Sequence, residues 1–218
     1  MPSWITSDTH FDHFNCIVYC NRPYSGVIDQ RESIIDHWNL CVGQDDDVYH
    51  LGDFCLNHNR AVEIIPRLNG NICLVLGNHD APFPLTKEKH FRMRDKYLFA
   101  GISEICMEKK IVIDIGESKA YTVHMSHLPP LTEEQKLFDD RYVNYRPDYN
   151  PETIYLHGHL HNQRYLKYNN FFDVGWDGSL RLYTQEDVVS IIKDPREFIP
   201  SRISKDYLDL EPGQKKKE

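Results

Sequence analysis

LVLGNHD, at residues 74–80, joins an apolar run to three polar side chains through one glycine. The run extends upstream to ICLVLG, at residues 72–77, and its apolar character on both faces is typical of a strand inside a covered sheet. Asn78, His79 and Asp80 follow at once, and side chains of these types bind metal ions or transfer protons. The stretch therefore predicts a central strand that ends in a functional site.

Four other apolar segments of the sequence end in the same kinds of side chain. WITS precedes Asp8 and His10, VYHLG precedes Asp53, YTVHMS precedes His127, and IYLHG precedes His159 and His161. In an α/β sheet, ligands bind outside the carboxyl ends of the strands, so we expect these distant residues to meet at one place. Imidazole, carboxylate and amide donors together suit manganese, iron, zinc or nickel rather than a cation that prefers thiolates.

Each of these motifs alone would fit an ordinary polar cap at the end of a strand. Their combination changes the interpretation, because imidazoles and carboxylates that are buried together without cations leave charges and hydrogen-bond donors poorly matched. The whole set therefore favours a metal centre over a series of unrelated strand caps.

The order of the predicted elements indicates a layered α/β fold. Helical patterns occur at residues 29–42, with Asp29 as the N-cap, at 61–68 and at 85–99. After residue 100, strand patterns follow one another, ending with SLRLY. This order predicts two packed mixed sheets, in a single domain over residues 1–200 with a polar tail over residues 201–218.

The composition limits the partners that we expect. Asp and Glu number 33 and Lys and Arg 25, and the formal net charge of -8 argues against a broad surface for nucleic acid. Two divalent cations in one cleft would still allow an anionic substrate. Neither a basic leader nor a run of about 18 apolar residues occurs, which predicts a cytoplasmic protein without a membrane partner. The sequence does not indicate the oligomeric state of the protein.

Cysteines and several other polar residues are assigned supporting roles. The six cysteines lie mostly among apolar neighbours and are expected to be free thiols. Cys16 and Cys20 lack a second Cys or His pair close in sequence, which argues against a structural zinc site. His50 is predicted to be either a satisfied core histidine or a residue that hydrogen-bonds to a metal ligand. Asp173 and Asp177 are predicted to support metal ligands in the second way.

The complete set of motifs resembles the calcineurin-like metallophosphoesterase family. The motifs are Asp-Thr-His at 8–10, Gly-Asp at 52–53, Gly-Asn-His-Asp at 77–80, Ser-His-Leu-Pro at 126–129 and Gly-His-Leu-His at 158–161. The resemblance covers residues 3–180 and implies a four-layer α/β/β/α sandwich with the metal site at the carboxyl ends of the strands. It also implies a phosphoric ester hydrolase with two divalent or trivalent cations, of which Mn2+ is favoured and Fe, Zn or Ni are alternatives.

The resemblance further implies a role for each matched residue. One cation would be held by Asp8, His10 and His161, the other by Asn78, His127 and His159, and Asp53 would bridge the two. A hydroxide between the cations would attack phosphorus in line. His79 would face the substrate as phosphate binder or general acid, and Asp80 would orient it.

Residues beside these motifs are candidates for substrate binding. FDHFN, at residues 11–15, follows the first motif where a glycine is common in the family, and it places His13 and Asn15 beside the site. Arg22 in CNRPY and Arg146 in VNYRPDY carry planar guanidinium groups that match a distal phosphate. Alternatively, His13 caps a loop, the tyrosines around Arg146 pack over the sheet edge, and the arginines pair with aspartates.

These observations favour a phosphomonoesterase or phosphodiesterase that acts on a small, nucleotide-like substrate. A nuclease for DNA or RNA is an alternative, and the acidic composition counts against it. A catalytically silent scaffold of the same fold would have lost ligands, whereas every expected ligand is present. A metal store would not require His79 and Asp80.

Overall fold

In the computed structural model, residues 3–84, 87–115, 120–131, 142–161 and 170–193 are described. Within these ranges, two β-sheets pack face to face, and helices lie on the outer face of the first sheet. The predicted α/β sandwich with two packed mixed sheets is confirmed. The predicted polar tail at 201–218 and the predicted end of the domain at residue 200 lie outside the described residues.

Over the described residues, the first sheet contains five strands. They are β1 at Ser3–Thr6, β2 at Asp47–His50, β3 at Asn71–Val75, β4 at Glu104–Cys106 and β9 at Tyr183–Thr184. Their order is β4-β3-β2-β1-β9, in which β1 to β4 are parallel and β9 is antiparallel to β1. Thr6, His50 and Leu74 pair across β1, β2 and β3, so these three strands end at one level. The polar residues after them therefore begin at the same edge.

The second sheet contains four strands in the part of the chain that the structure describes. They are β5 at Glu108–Asp114, β6 at Ala120–Ser126, β7 at Ile154–His157 and β8 at Phe171–Asp173. Their order is β5-β6-β7-β8, and only the β5-β6 pair is antiparallel. Val112 is 71% exposed whereas Ile113 is 5% exposed, so successive side chains of β5 face opposite sides of the sheet.

The helices lie mainly between the early strands, as the sequence predicted. They are α1 at Phe14–Tyr19, α2 at Val27–Cys41, α3 at His58–Ile64, α4 at Lys87–Ala100, α5 at Trp176–Ser179 and α6 at Gln185–Lys193. A short 3-10 helix at Ile65–Arg67 follows α3, where Pro66 interrupts the regular helix. Within the described ranges, no helix combines the length and the apolar character that crossing a membrane requires.

Two local expectations were wrong. Asp29 does not cap α2, because the helix begins two residues earlier and the Asp29 carboxylate accepts hydrogen bonds from Ser25 N and Oγ at 2.8 and 3.0 Å. The SLRLY segment is mostly not a strand, because α5 extends into it and Leu180 adopts a left-handed φ of 55°. Only the last residue of this segment, Tyr183, belongs to β9.

The apolar core between the sheets fixes the positions of the strand ends. Leu51 and Val75 from the first sheet pack against Val123 and Leu156 from the second. Burying such a side chain completely contributes roughly 1.5–3 kcal/mol to the free energy of folding. A second apolar core, which includes Trp38, lies between the first sheet and the helices.

Truncation of Leu156 tests whether the core between the sheets determines stability. Leu156 is fully buried, so Leu156→Ala is expected to lower the free energy of unfolding by about 2–5 kcal/mol in urea denaturation. Val112→Ala, on the exposed face of the same sheet, is the matched control and should change it by less than about 0.5 kcal/mol. Equal effects of the two substitutions would contradict this assignment of the core.

Candidate metal centre

The structure brings the predicted ligands together at the carboxyl ends of both sheets. The backbone N–H of His159 donates to Asp8 Oδ2 at 3.0 Å, although the two residues are 151 positions apart. His161 Nε2 lies 3.8 Å from Asp8 Oδ1. Two of the predicted ligands therefore reach the loop after β1 from the segment that follows β7 in the other sheet. The assignment of each residue as a ligand stays a prediction.

Asp53 occupies the centre of this group. Its Oδ2 atom lies 3.4 Å from His10 Nε2 and 3.4 Å from His127 Nε2, while Oδ1 accepts the His79 backbone N–H at 2.9 Å. Burial acts to raise the pKa of Asp53, but the facing His127 and His10 outweigh it and lower the pKa. One carboxylate oxygen thus lies between two imidazoles, the arrangement that a bridging ligand requires.

The first group of predicted ligands consists of Asp8, His10 and His161. One ligand atom from each lies within 4.8 Å of the others. His10 Nε2 is buried and has no hydrogen-bond partner among the described residues. A nitrogen lone pair that is buried without a donor is costly unless a cation binds it, so this group fits a metal ion.

The second group consists of Asn78, His127 and His159. His127 Nδ1 donates to the Leu51 carbonyl at 2.9 Å, which leaves Nε2 facing Asn78 Oδ1 at 3.1 Å. Burial acts to lower the pKa of His127, but the Asp53 carboxylate raises it to about 9. A proton on Nε2 therefore occupies the position that a cation would take. The His159 ring centre lies 5.3 Å from that of His127.

Most of the predicted ligands have an unusual backbone conformation. Five of the eight non-glycine residues with positive φ among the described residues are predicted ligands: Asp8, His10, Asp53, His159 and His161. A left-handed conformation costs an L-residue roughly 1–2 kcal/mol, and Asp and His adopt it more readily than most. Such strain persists only where surrounding contacts hold it, and it concentrates at functional sites.

Two glycines allow the ligand loops to approach each other. A Cβ atom at Gly77 would overlap the backbone N and the carboxylate of Asp53. At Gly158, a Cβ atom would overlap the Ser7 hydroxyl and the Asp8 carboxylate. Any larger residue at either position would therefore displace a predicted ligand.

Asp80 does not orient the His79 ring, contrary to the prediction from the sequence. Its buried Oδ2 accepts the backbone N–H groups of Gly77 and Asp53 at 2.8 and 2.9 Å, and Oδ1 accepts that of Phe54 at 2.9 Å. The side chain of His79, by contrast, is exposed. Burial and the Asp53 charge raise the pKa of Asp80 to about 7. Asp80 therefore connects the loops after β2 and β3 and acts on His79 only through the backbone.

Arg22 was predicted to bind a distal phosphate, and the structure contradicts this role. Its side chain is 0% exposed, and Nε and Nη2 donate to the two oxygens of Asp177 at 2.7 and 2.9 Å. The guanidinium also donates to the carbonyls of Thr9 and Asp8 at 2.7 and 2.6 Å. The alternative that the arginine pairs with an aspartate is confirmed for Arg22, which holds the loop after β1.

His13 lies beside the site, whereas Asn15 is exposed on α1. His13 Nδ1 is 3.3 Å from His10 Nδ1, and burial together with the neighbouring His79 lowers the pKa of His13. Asn15 is an exposed residue of α1, and the described structure gives it no contact with a predicted ligand. Of these two candidates, only His13 is placed to meet a substrate.

The second Arg-Pro segment packs along the edge of the second sheet. Arg146 Nη1 donates to the Pro129 carbonyl at 2.9 Å, and its charge contributes to lowering the pKa of His159. The Tyr149 ring centre lies 5.6 Å from that of Phe171, edge to face. The packing alternative is thus confirmed for Tyr149, while the role of Arg146 in substrate binding stays a prediction.

The residues around His161 include a neighbour that the sequence did not indicate. His161 Nδ1 lies 2.7 Å from Asp177 Oδ2, which confirms the expected supporting role of Asp177. It also lies 3.4 Å from Cys20 Sγ, although Cys20 is 141 positions away. Cys16 and Cys20 have no second Cys or His pair near them in sequence, but the fold brings His161 to Cys20, so the expectation that they bind no zinc loses its basis. All six cysteines are free thiols, as predicted.

The comparisons with known proteins identify a family without identifying a substrate. The family "Calcineurin-like phosphoesterase superfamily domain" matches residues 1–185. Uncharacterized protein MJ1445 of Methanocaldococcus jannaschii is 46% identical over 80 residues, which are 35% of this chain and 46% of that protein, so the match spans less than half of its length. Gene 66 protein of Mycobacterium phage L5 is 26% identical over 204 residues, which cover 89% of this chain and 96% of that protein.

A solved structure has the same fold. The crystal structure of the protein of unknown function AQ665 from Aquifex aeolicus superimposes with a TM-score of 0.56 at 21% identity. The match covers 87% of this chain and 98% of that one. At this identity, the similarity supports the fold alone.

Substitution of Asp80 tests its role in connecting the loops. Asp80→Asn replaces an accepting oxygen with an NH2 group that faces backbone N–H groups, so the free energy of unfolding should fall by about 1–3 kcal/mol. Metal content, measured after dialysis, should fall with it. Asp36→Asn, an exposed carboxylate in α2, is the control and should change neither quantity. An Asp80→Asn protein of unchanged stability and metal content would instead support the role predicted from the sequence.

Proposed function

The chain belongs to the calcineurin-like phosphoesterase superfamily, and we propose that it is a metal-dependent phosphoesterase that hydrolyses a small phosphorylated substrate. The position of Asp53 carries this proposal, because its Oδ2 atom is 3.4 Å from one imidazole of each predicted ligand group. This arrangement allows one carboxylate to be shared by two cations.

The donor atoms fit two cations of intermediate hardness. Asp8, His10 and His161 would hold one, and Asn78, His127 and His159 would hold the other. Imidazole nitrogens with carboxylate and amide oxygens suit Mn2+, which we favour, and also Fe, Zn or Ni. When bound, the cations would supply a water of lowered pKa and would neutralise charge on the phosphoryl oxygens.

His79 is the residue that we assign to the substrate. Its side chain is exposed, and its ring centre lies 5.8 Å from that of His10, at the edge of the candidate metal centre. The bond from its backbone N–H to Asp53 Oδ1 fixes the residue at that edge. There the ring would bind a phosphoryl oxygen or donate a proton to the leaving oxygen.

The surroundings favour a small substrate over a polymer. His13 lies beside the candidate metal centre, and we keep Arg146 as a candidate for substrate binding, whereas the Arg22 guanidinium is paired with Asp177. The formal net charge of -8 counts against a long path for a nucleic acid backbone. A nuclease is therefore the second candidate, and the substrate test below separates the two.

Substitutions at three neighbouring positions should separate metal binding from catalysis. Asp53→Asn and Asn78→Ala remove predicted ligands, so both metal content and activity should be lost. His79→Ala should retain metal and lower kcat about 10²–10⁴-fold, as expected for loss of a general acid. Metal content is measured by elemental analysis and activity with a chromogenic phosphate ester. If His79→Ala lost metal but kept its activity per bound metal, the assignment of His79 would be wrong.

A panel of substrates tests the reaction and the substrate class. The metal-free protein is reconstituted with Mn2+ and offered p-nitrophenyl phosphate, bis-p-nitrophenyl phosphate, cyclic nucleotides, and single-stranded DNA and RNA. We expect hydrolysis of the small esters and none of the polymers. Cleavage of the polymers with no turnover of the small esters would favour the nuclease. The Asp53→Asn protein serves as the blank for contaminating phosphatases.

A further inference from the structure

Two thiols lie beside the candidate metal centre, in a cluster with His161 and Asp177. Cys16 lies in α1, and Cys20 is the residue that follows the end of α1. Their sulfur atoms are 3.7 Å from each other. Cys20 Sγ is 3.4 Å from His161 Nδ1, and the same nitrogen is 2.7 Å from Asp177 Oδ2. One ligand atom from each of these four residues lies within 4.8 Å of the others.

We propose that Cys16, Cys20 and His161 bind a thiophilic divalent cation of the zinc class, with Asp177 as the fourth ligand. Two sulfurs, one imidazole nitrogen and one carboxylate oxygen are a donor set that suits a tetrahedral Zn2+ ion. The residues assigned to the candidate metal centre include no sulfur, so softer ions prefer the thiol site and harder ions the neighbouring centre. This thiol site does not depend on phosphoesterase activity.

Charge and access are compatible with a cation at the thiol site. Arg22 pairs with Asp177 and neutralises its carboxylate. The two thiolates therefore remain to balance the two positive charges of a divalent ion. Cys16 is buried, whereas Cys20 is only partly buried and the His161 side chain is 28% exposed. Solvent therefore reaches the cluster from one side. Binding forms two metal–sulfur bonds and releases the two thiol protons to water.

The thiol site shares His161 with the candidate metal centre. His161 Nε2 faces Asp8 Oδ1 at 3.8 Å, while Nδ1 faces Cys20 and Asp177. A neutral imidazole has one lone pair, so a cation on Nδ1 moves the ring proton to Nε2. A cation at the thiol site thus withdraws His161 from the centre, and the two sites compete for this residue.

Cadmium absorbance tests the thiol site without any measurement of activity. The full chain is freed of metal, reduced and titrated with Cd2+ while the thiolate-to-cadmium charge-transfer absorbance is recorded. The matched variants are Cys16→Ser/Cys20→Ser and Cys73→Ser/Cys106→Ser, which removes a thiol pair with a sulfur separation of 4.0 Å. In Cys73→Ser/Cys106→Ser, we expect the absorbance band to persist. In Cys16→Ser/Cys20→Ser, we expect the loss of the component that saturates first, at the lowest cadmium concentration.

Each outcome of this titration decides the proposal. Retention of that component in Cys16→Ser/Cys20→Ser, or its loss in Cys73→Ser/Cys106→Ser, would overturn the thiol site. If the first variant fails to fold by circular dichroism, X-ray absorption of the cadmium-loaded second variant decides instead. Two sulfur neighbours per ion would support the site, and fewer would contradict it.

Manganese affinity tests the sharing of His161. Free Mn2+ is measured by electron paramagnetic resonance, with and without one equivalent of Cd2+. Loss of His161 from the candidate metal centre should raise the apparent Kd for Mn2+ roughly 10–100-fold, in both the parent protein and Cys73→Ser/Cys106→Ser. The effect should be absent in Cys16→Ser/Cys20→Ser. An equal effect in that variant would mean that Cd2+ competes directly with Mn2+ at the candidate metal centre. It would refute the sharing of His161 between the two sites.

Discussion

The buried carboxylate of Asp53 is the constraint on which the site depends. One of its oxygens faces His10 and His127, and the other holds the backbone of His79. Two imidazoles and one backbone N–H thereby meet at a side chain that is 2% exposed. A charge in such a place is stable only if opposite charges or cations surround it. His127, for which burial acts to lower the pKa but the Asp53 carboxylate raises it to about 9, fulfils the requirement in the described structure, and cations would fulfil it in the proposed enzyme.

The surrounding polar network keeps the ligand loops in strained conformations. Asp80 connects the loops after β2 and β3 through three backbone N–H groups. Arg22 and Asp177 do the same for the loop after β1 and for His161. Hydrogen bonds to charged groups contribute about 1.5–3 kcal/mol each, which is enough to offset the cost of the left-handed residues.

The sequence predicted the fold class and the meeting of the strand ends, because both follow from local patterns. Apolar strands and the polar residues after them are visible in any single segment, and parallel strands end at one edge. Arg22 was misjudged because its partner Asp177 lies 155 positions away. Asp80 was misjudged because the family resemblance implied a contact with His79, whereas the carboxylate accepts three backbone N–H groups instead. Cys20 was overlooked because its contact His161 lies 141 positions away in the sequence.

The predicted ligands follow strands of both sheets, so cations bound at the candidate metal centre would link the two sheets at one end of the sandwich. Cations that bind there would bind the native chain and not the unfolded chain. The melting temperature would then rise with the logarithm of cation concentration, by an amount equivalent to about 2.7 kcal/mol when that concentration is 100 times Kd. The resistance of the protein to heat would therefore depend on the cations in its surroundings as well as on its own sequence.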